Sequence, residues 1–389
     1  MTLLDPTLDF LGVFADVGEA DRAVWRRAHS YADDVLPVIN DHWEQARYPL
    51  ELVRRLGELD LLTDGVEVEG HEKLSPLGAG LACMEVSRID GSMAVVIGVQ
   101  AALCLRSIAF HGSPEQRGRW LGPLAAGEEL GAFALTEPTH GSDAVALETT
   151  AVLDGDEYVL NGEKRWIGNG AGGDVTVVWA RMEDGQVGGF IVEQDTPGYD
   201  AEVITGKVSL RAIHQAHIRL RDCRIPRANK LPGANTFKDT SRVLEASRAG
   251  VAWSAFGHGL AAYEIALGHA RERSQFGRPL AKNQIIQQRL ADMLTDVTNM
   301  ALQCRQLARL EGSGELLGPQ AAMAKVHNTR AARRVVADAR DLLGGSGILL
   351  ENHVVRHFAD MEALHTFEGT DTIQSLIIGR ALTGTSAFT

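Results

Sequence analysis

The spacing of apolar residues changes twice along this 389-residue chain, and the two changes restrict the folds open to it. Up to about residue 128 apolar side chains recur three and four apart, as in "LELVRRLGELDLL" (50–62) and "GLACMEVSRIDGSMAVVIGVQAALCL" (80–105), the period of a half-buried helix. From there the pattern becomes β-rich: "TTAVLDGDEYVLNGEKRWIGNG" (149–170) carries an Asp-Gly pair between two strand-like runs, a hairpin signal, and "VTVVWA", "GGFIVEQ" and "HIRLRDCRI" continue it. From about 237 the helical period returns. In "NQIIQQRLADMLTDVTNMALQCRQLARL" (283–310), Ile286, Leu290, Met293, Leu294, Val297, Met300, Leu302 and Cys304 fall mostly on one broad face, and "EGSGELLGP" (311–319) separates this helix from another over 320–343. Helices, then strands, then helices, without alternating βαβ units, predict an α+β protein and argue against a Rossmann-type sheet. The expected division is an all-α domain over 1–128, a β domain over 129–236 and an all-α domain over 237–389.

A formal net charge of −13 argues against nucleic acid as a main partner, because affinity there comes from Lys and Arg neutralising phosphates. Cys83, Cys104, Cys223 and Cys304 lie far apart, with no C-x-x-C pair for a metal or redox site and no disulfide framework. The start "MTLLDPTLDF" lacks a basic, apolar signal pattern, and no stretch approaches the ~20 uncharged apolar residues of a membrane span. These features predict a reducing, cytoplasmic compartment without a membrane.

Several segments carry chemistry, each with a plainer alternative. "FALTEPTHGSDAVA" (133–146) ends a strand and opens a loop whose free N–H groups can cradle an anion; alone, ordinary turn chemistry is the better account. "KRWIGNG" (164–170) sets Trp166 beside two glycines, where an indole can stack on a flat ring or simply fill a core. Arg273 in "ARERSQFGRPLAKNQ" is either a phosphate partner or a solvated helix end. "DLLGGSGILL" (341–350) is glycine-rich but lacks the dinucleotide pattern. His353 and His357 share a helical face without a third ligand, so no metal site is predicted. In "ALHTFEGTDTIQSL", Asp371 and Gln374 resemble a capping box that starts a helix near Thr372. Glu368 then sits in the connection before that helix, flanked by Phe367 and Gly369. Partial desolvation there would raise its pKa and make it a stronger base once ionised.

Together, in this order, the five segments resemble the acyl-CoA dehydrogenase superfamily over essentially the whole chain. "ALTEPTHGSDAVA" is similar to the family's first signature, with His140 where a small residue is usual, "DLLGGSGILLENHVVRHFAD" fits the second, and "FEGT" matches the segment that bears the base. The glutaryl-CoA dehydrogenase branch and the plant short-chain acyl-CoA oxidases look closest. The resemblance implies helical domains, the last a four-helix bundle, around a small β domain, and FAD as cofactor. It implies Glu368 as proton acceptor. Phe133, Leu135, Thr136, Ser142, Trp166, Ile167 and Gly168 would hold the flavin ring and nearby phosphates. Arg273, Phe276, Gln284, Asp341, Gly344 and Gly345 would reach the FAD of a neighbouring subunit, which requires a homo-oligomer, a tetramer in this family; Thr370 and Thr372 would meet FAD after the base. Ser142, Ser241, Glu245 and Arg248 would line the acyl-CoA path, Gly369 would offer its N–H to the thioester carbonyl, and Ala94 and Val95 would end an apolar acyl pocket with Met93.

The activity implied is α,β-dehydrogenation of an acyl-CoA to a trans-2-enoyl-CoA, with electrons passing to an electron-transfer flavoprotein. The alternative is an acyl-CoA oxidase that uses oxygen, suggested by Gly168, where the dehydrogenases usually place a threonine; glycine would open space beside flavin N5. A flavin monooxygenase would not need Glu368, and a DNA-associated flavoprotein would need a basic surface. In the glutaryl branch an arginine meets the substrate's second carboxylate and a glutamate lies seven residues before it; here those positions hold Ala94 and Ser87.

Overall fold

The computed structural model describes residues 7–387. The N-terminal region is helical: α1 (Glu19–Val35), α2 (Ile39–Gln45), α3 (Leu50–Glu58), α4 (Pro76–Ile89), α5 (Gly91–Ile97), a π-helical stretch (Gly98–Leu105), α6 (Arg106–His111) and α7 (Pro114–Ala125). Local chemistry sets the starts of these helices. The Ser75 hydroxyl accepts from the Gly78 N–H at 2.9 Å with Pro76 in the first turn, and the Asp90 carboxylate accepts from the Met93 N–H at 3.0 Å.

The α5–α6 run, Gly91–His111, is long and apolar enough by length and composition to cross a bilayer, contrary to the expectation from sequence. Two-thirds of its most apolar window is buried inside the protein, where Met93, Val96, Ile97, Ala101 and Leu105 enter the core, as in a central helix of a globular domain.

The strands follow: β1 (Gly131–Ala134), β2 (Thr150–Asp154), β3 (Glu157–Gly168), β4 (Val175–Met182), β5 (Val187–Glu193), β6 (Tyr199–Val203) and β7 (Gln215–Pro226). They form one seven-stranded sheet in the order β1-β4-β2-β3-β7-β6, with β5 on the other edge of β4. The two residues that turn β2 into β3 are Gly155 and Asp156, since Asp154 still pairs with Glu157; the expected Asp-Gly turn lies one residue later. Alternation along β4 separates two cores. Val175, Val177 and Trp179 join Leu103, Ile108, Trp120 and Leu124 beneath the N-terminal helices, whereas Val178 and Ala180 pack with Phe190, Val192 and Ile218 on the opposite face. Gln100 fixes β1 to the π-helical stretch, accepting from the Gly131 N–H at 2.7 Å and donating to the Leu124 and Glu129 carbonyls.

The C-terminal region comprises α8 (Phe237–Glu272), a hairpin β8 (Ser274–Gln275) and β9 (Arg278–Pro279), α9 (Gln284–Gly312), α10 (Gly318–Leu342), α11 (Val354–Thr366) and α12 (Asp371–Thr383). α8 to α11 make the bundle and α12 rests on α10. Buried alanines, among them Ala252, Ala255, Ala262, Ala321, Ala331 and Ala332, let α8 and α10 approach closely. Leu302, placed on the apolar face of α9 by the sequence pattern, is exposed. His353 is not on the face of α11 but is its N-cap, with φ of +58°, and buried His357 pairs with His258 instead, Nδ1 to Nδ1 at 2.8 Å.

Candidate active site

α11 stops at Thr366 and α12 begins at Asp371, so Glu368 lies in a four-residue connection. Its φ is +55° and that of Gly369 is +82°: two successive left-handed residues, a conformation that costs a glutamate of order 1–3 kcal/mol. Three groups hold the turn. The Lys325 ammonium, from α10, donates to the carbonyls of Phe367 and Gly369. The Gln374 amide donates to the Glu368 carbonyl at 2.6 Å. The Thr370 hydroxyl accepts from the Ile373 N–H at 3.3 Å and is the cap of α12. The expected capping box of Asp371 and Gln374 is therefore absent: Asp371 is already helical and pairs with Arg330, and Gln374 bonds the turn. A side chain at Gly369 would be strained by its φ of +82° and would displace the Gln374 amide nitrogen, 2.3 Å from a Cβ there.

The Glu368 carboxylate is half-buried and accepts from the Ser247 hydroxyl of α8 at 3.2 Å. Burial raises its pKa above the usual carboxylate value, opposed by the charges of Lys325 and Arg248. Burial also pushes the Lys325 ammonium down to about 7 and lowers the pKa of Arg248, whose Nε has no hydrogen-bond partner. Arg248 opens onto a groove of about 470 Å³ lined by Ser241, Leu244 and Glu245 of α8, Gly318 and Pro319, and Ile377 and Arg380 of α12. Ser241, Glu245 and Arg248 thus line one groove, and the Arg248 charge acts on Glu368; Thr370 caps α12 and Thr372 lies in its first turn.

Phe133, Leu135, Thr136, Trp166, Ile167 and Gly168 converge where β1 and β3 end, joined by the Arg165 N–H donating to the Thr136 carbonyl at 2.8 Å; exposed Ser142 lies on the loop that follows. Trp166 sits at a bulge in the β3–β7 pairing with φ of +66°, and 55% of it is exposed. An open indole beside short neutral donors suits a flat heteroaromatic ring, so these residues fit a flavin. The expectation that Gly168 opens space is overturned: a Cβ there would meet Val99 Cγ2 at 2.7 Å, so a side chain from the π-helical stretch already fills it. Met93 and Ala94 are buried in the main core and line no part of the groove, while Val95 is half-buried against that core.

The remaining predicted residues gather at the opposite end of the bundle. Arg273 caps α8, Phe276 is fully exposed on the β8–β9 hairpin, and Gln284 starts α9. Asp341 is bonded by Arg289 of α9 at 3.0 Å, just before Gly344 and Gly345. Along α8, Arg248 and Arg273 are separated by a rise of roughly 38 Å at 1.5 Å per residue. Arg273 and its neighbours thus lie far along α8 from the Arg248 groove.

Sequence reading did not single out Lys325, Ser247 or Val99, and it gave Gln374 a capping role instead of its bond to the Glu368 carbonyl. The first carried one signal, a lone lysine on the alanine-rich face of α10, where Ala321, Ala322, Ala324 and Thr329 are also buried.

Models of the acyl-CoA dehydrogenase N-terminal, middle and C-terminal domains match residues 18–128, 132–223 and 237–383. A short-chain specific acyl-CoA dehydrogenase of Bos taurus is 35% identical over 352 residues, 89% of this chain and 85% of the relative. A solved glutaryl-CoA dehydrogenase from Mycobacterium smegmatis superimposes with a TM-score of 0.96 at 38% identity, covering 98% of this chain and 99% of that one. A second from the same organism, in complex with FADH2, gives 0.97 at 34% identity over 99% and 100%. The chain belongs to the acyl-CoA dehydrogenase family. It is an oxidoreductase of that kind.

Proposed function

We propose that this enzyme desaturates a short-chain, unbranched or lightly branched acyl-CoA to the trans-2-enoyl-CoA, with Glu368 as the base. The observation that carries the reading is the strained turn that holds a half-buried carboxylate against Ser247 beside the Arg248 groove. A thioester α-proton is too weakly acidic to leave in water. A partly desolvated carboxylate takes it more readily, and a donor on the carbonyl oxygen stabilises the charge that develops. In this reading Glu368 takes the α-proton, the Gly369 N–H holds the thioester carbonyl, and Ser241, Glu245 and Arg248 guide the CoA. FAD is the cofactor, and when bound it supplies the hydride acceptor. Its ring goes to Thr136, Trp166 and Gly168, and its far end to Arg273, Phe276, Gln284 and the 341–345 turn of a second copy, which makes the working unit a homo-oligomer, a tetramer by family resemblance.

The packing of Val99 against Gly168, where a Cβ would lie 2.7 Å from Val99 Cγ2, supports an electron-transfer flavoprotein over oxygen as acceptor. The four cysteines are free, in keeping with a reducing cytoplasmic setting. Anaerobic addition of acyl-CoAs from C4 to C16 tests the reading. The yellow enzyme is expected to bleach fastest with the shortest chains; no bleaching by any of them would overturn it.

A further inference from the structure

The turn that presents Glu368 is held by a lysine from another helix, and the lysine's position is unusual for a buried cation. Lys325 is 1% exposed, yet its hydrogen bonds go to backbone carbonyls and not to a carboxylate. Its ammonium donates to two neutral carbonyls, those of the residues on either side of Glu368. A buried ammonium without a touching carboxylate is costly, and a neutral donor would satisfy the same carbonyls more cheaply. The charge itself therefore needs a reason. The anion acting most strongly on Lys325 is Glu368, and Lys325 is the foremost cation acting on Glu368.

We propose that Lys325 is the positioning residue of the base: it fixes the left-handed Glu368–Gly369 turn and supplies the positive charge that keeps the Glu368 carboxylate ionised. This rests on the reading of Glu368 as the base. The groups facing that carboxylate are few. α8 contributes Ser247 and Arg248, with Glu245 beside the arginine, and α10 contributes Lys325; His365 of α11 and Asp371 of α12, the latter paired with Arg330, lie near the lysine. Burial favours the protonated acid, and the two cations oppose it. Without Lys325, burial is less opposed, and the carboxyl keeps its proton to higher pH.

The test compares Lys325→Met, Lys325→Gln and Lys325→Arg with wild type, each first checked for FAD content and Tm. Deuterium exchange at the α-carbon of butyryl-CoA is then followed from about pH 5 to 9, alongside Glu368→Gln. The two neutral variants should move the acid limb of exchange upward by about one unit or more and lower the rate at neutral pH about tenfold, with recovery at alkaline pH. The arginine variant should keep the wild-type limb. An unmoved limb in a folded, FAD-loaded Lys325→Met, or an equal loss at every pH, overturns the proposal, and so does failure of both neutral variants to fold while arginine behaves normally. If Glu368→Gln exchanges at the wild-type rate, the base assignment falls and this proposal falls with it; if it is inactive and the limb in Lys325→Met is unmoved, only the lysine proposal falls.

Discussion

Glu368 adopts a backbone conformation that a glutamate keeps only under constraint, and its carboxylate is raised in pKa by burial. Glu368→Gln preserves the shape and removes the base. It should retain FAD and lose at least about 100-fold in turnover. Because the folded-state pKa is raised, the stability from this group is complete below the ordinary carboxylate pKa and declines as pH rises through the higher folded value. The glutamine variant should therefore melt no lower than wild type at neutral pH. A lower Tm, or wild-type exchange at the substrate α-carbon, would remove Glu368 from this role. Gly168 and Val99 share one space: a Cβ at 168 would lie 2.7 Å from Val99 Cγ2. Val99→Ala vacates that space and should speed reoxidation of photoreduced enzyme by oxygen in stopped-flow mixing. Equal rates in the two proteins would show that oxygen access is controlled elsewhere.

At the scale of elements, α4 and α5 carry Ser87 and Ala94, the positions where family resemblance would put a glutamate and an arginine in the glutaryl branch. Ser87 is buried and hydrogen-bonded to the Cys83 carbonyl and the Ser254 hydroxyl, and Ala94 is buried and apolar. Neither can pair with a second carboxylate. Burying an unpaired carboxylate costs several kcal/mol, so kcat/KM for glutaryl-CoA should be at least about 100-fold below that for butyryl-CoA. Comparable values for the two substrates, measured in one assay, would refute this. The connection between α11 and α12 shows how a local reading misplaces a helix end. Asp371 and Gln374 have the right spacing for a capping box, but Arg330 from α10 holds the first, and the second turns back onto the Glu368 carbonyl. Both competing partners depend on the assembled C-terminal helices.

Across the whole molecule a buried polar junction ties the three regions together. Asp90, at the start of α5, bonds Arg356 of α11, and Asp360 of α11 accepts from the Leu210 N–H before β7 at 2.6 Å. Burial and the neighbouring Asp90 charge push Asp360 up to about 7. A carboxyl raised in this way contributes stability that is complete below its unfolded pKa of about 3.9 and is lost as pH rises through about 7. Asp360→Asn keeps an acceptor for Leu210 and removes the titration. Its Tm should fall less than that of wild type between pH 6 and 8, by about 1 °C for each kcal/mol recovered. Parallel Tm curves would show that Asp360 does not titrate in this range. The separation of roughly 38 Å along α8 gives a second prediction at this scale. A Trp166→Ala chain and an Arg273→Glu chain should each bind FAD poorly, and co-expression should restore FAD to a minority of sites. No restoration in the mixed oligomer would place all the FAD contacts within one subunit.

The changes of hydrophobic period determined the α+β class and the order of its regions, because burying one face of a helix or strand is a local demand written into residue spacing. The short segments around Thr136, Trp166, Arg273 and Glu368 could be singled out for the same reason: each is contiguous in the chain. What only the tertiary structure decided are the contacts between distant elements. Lys325 comes to Glu368 from 43 positions away, Val99 reaches Gly168 from another domain, Asp360 meets Leu210 across the β region, and a helix with the composition of a membrane span is enclosed in the core. Each depends on how separate faces pack, and apolar spacing marks that a face is buried without specifying which face covers it.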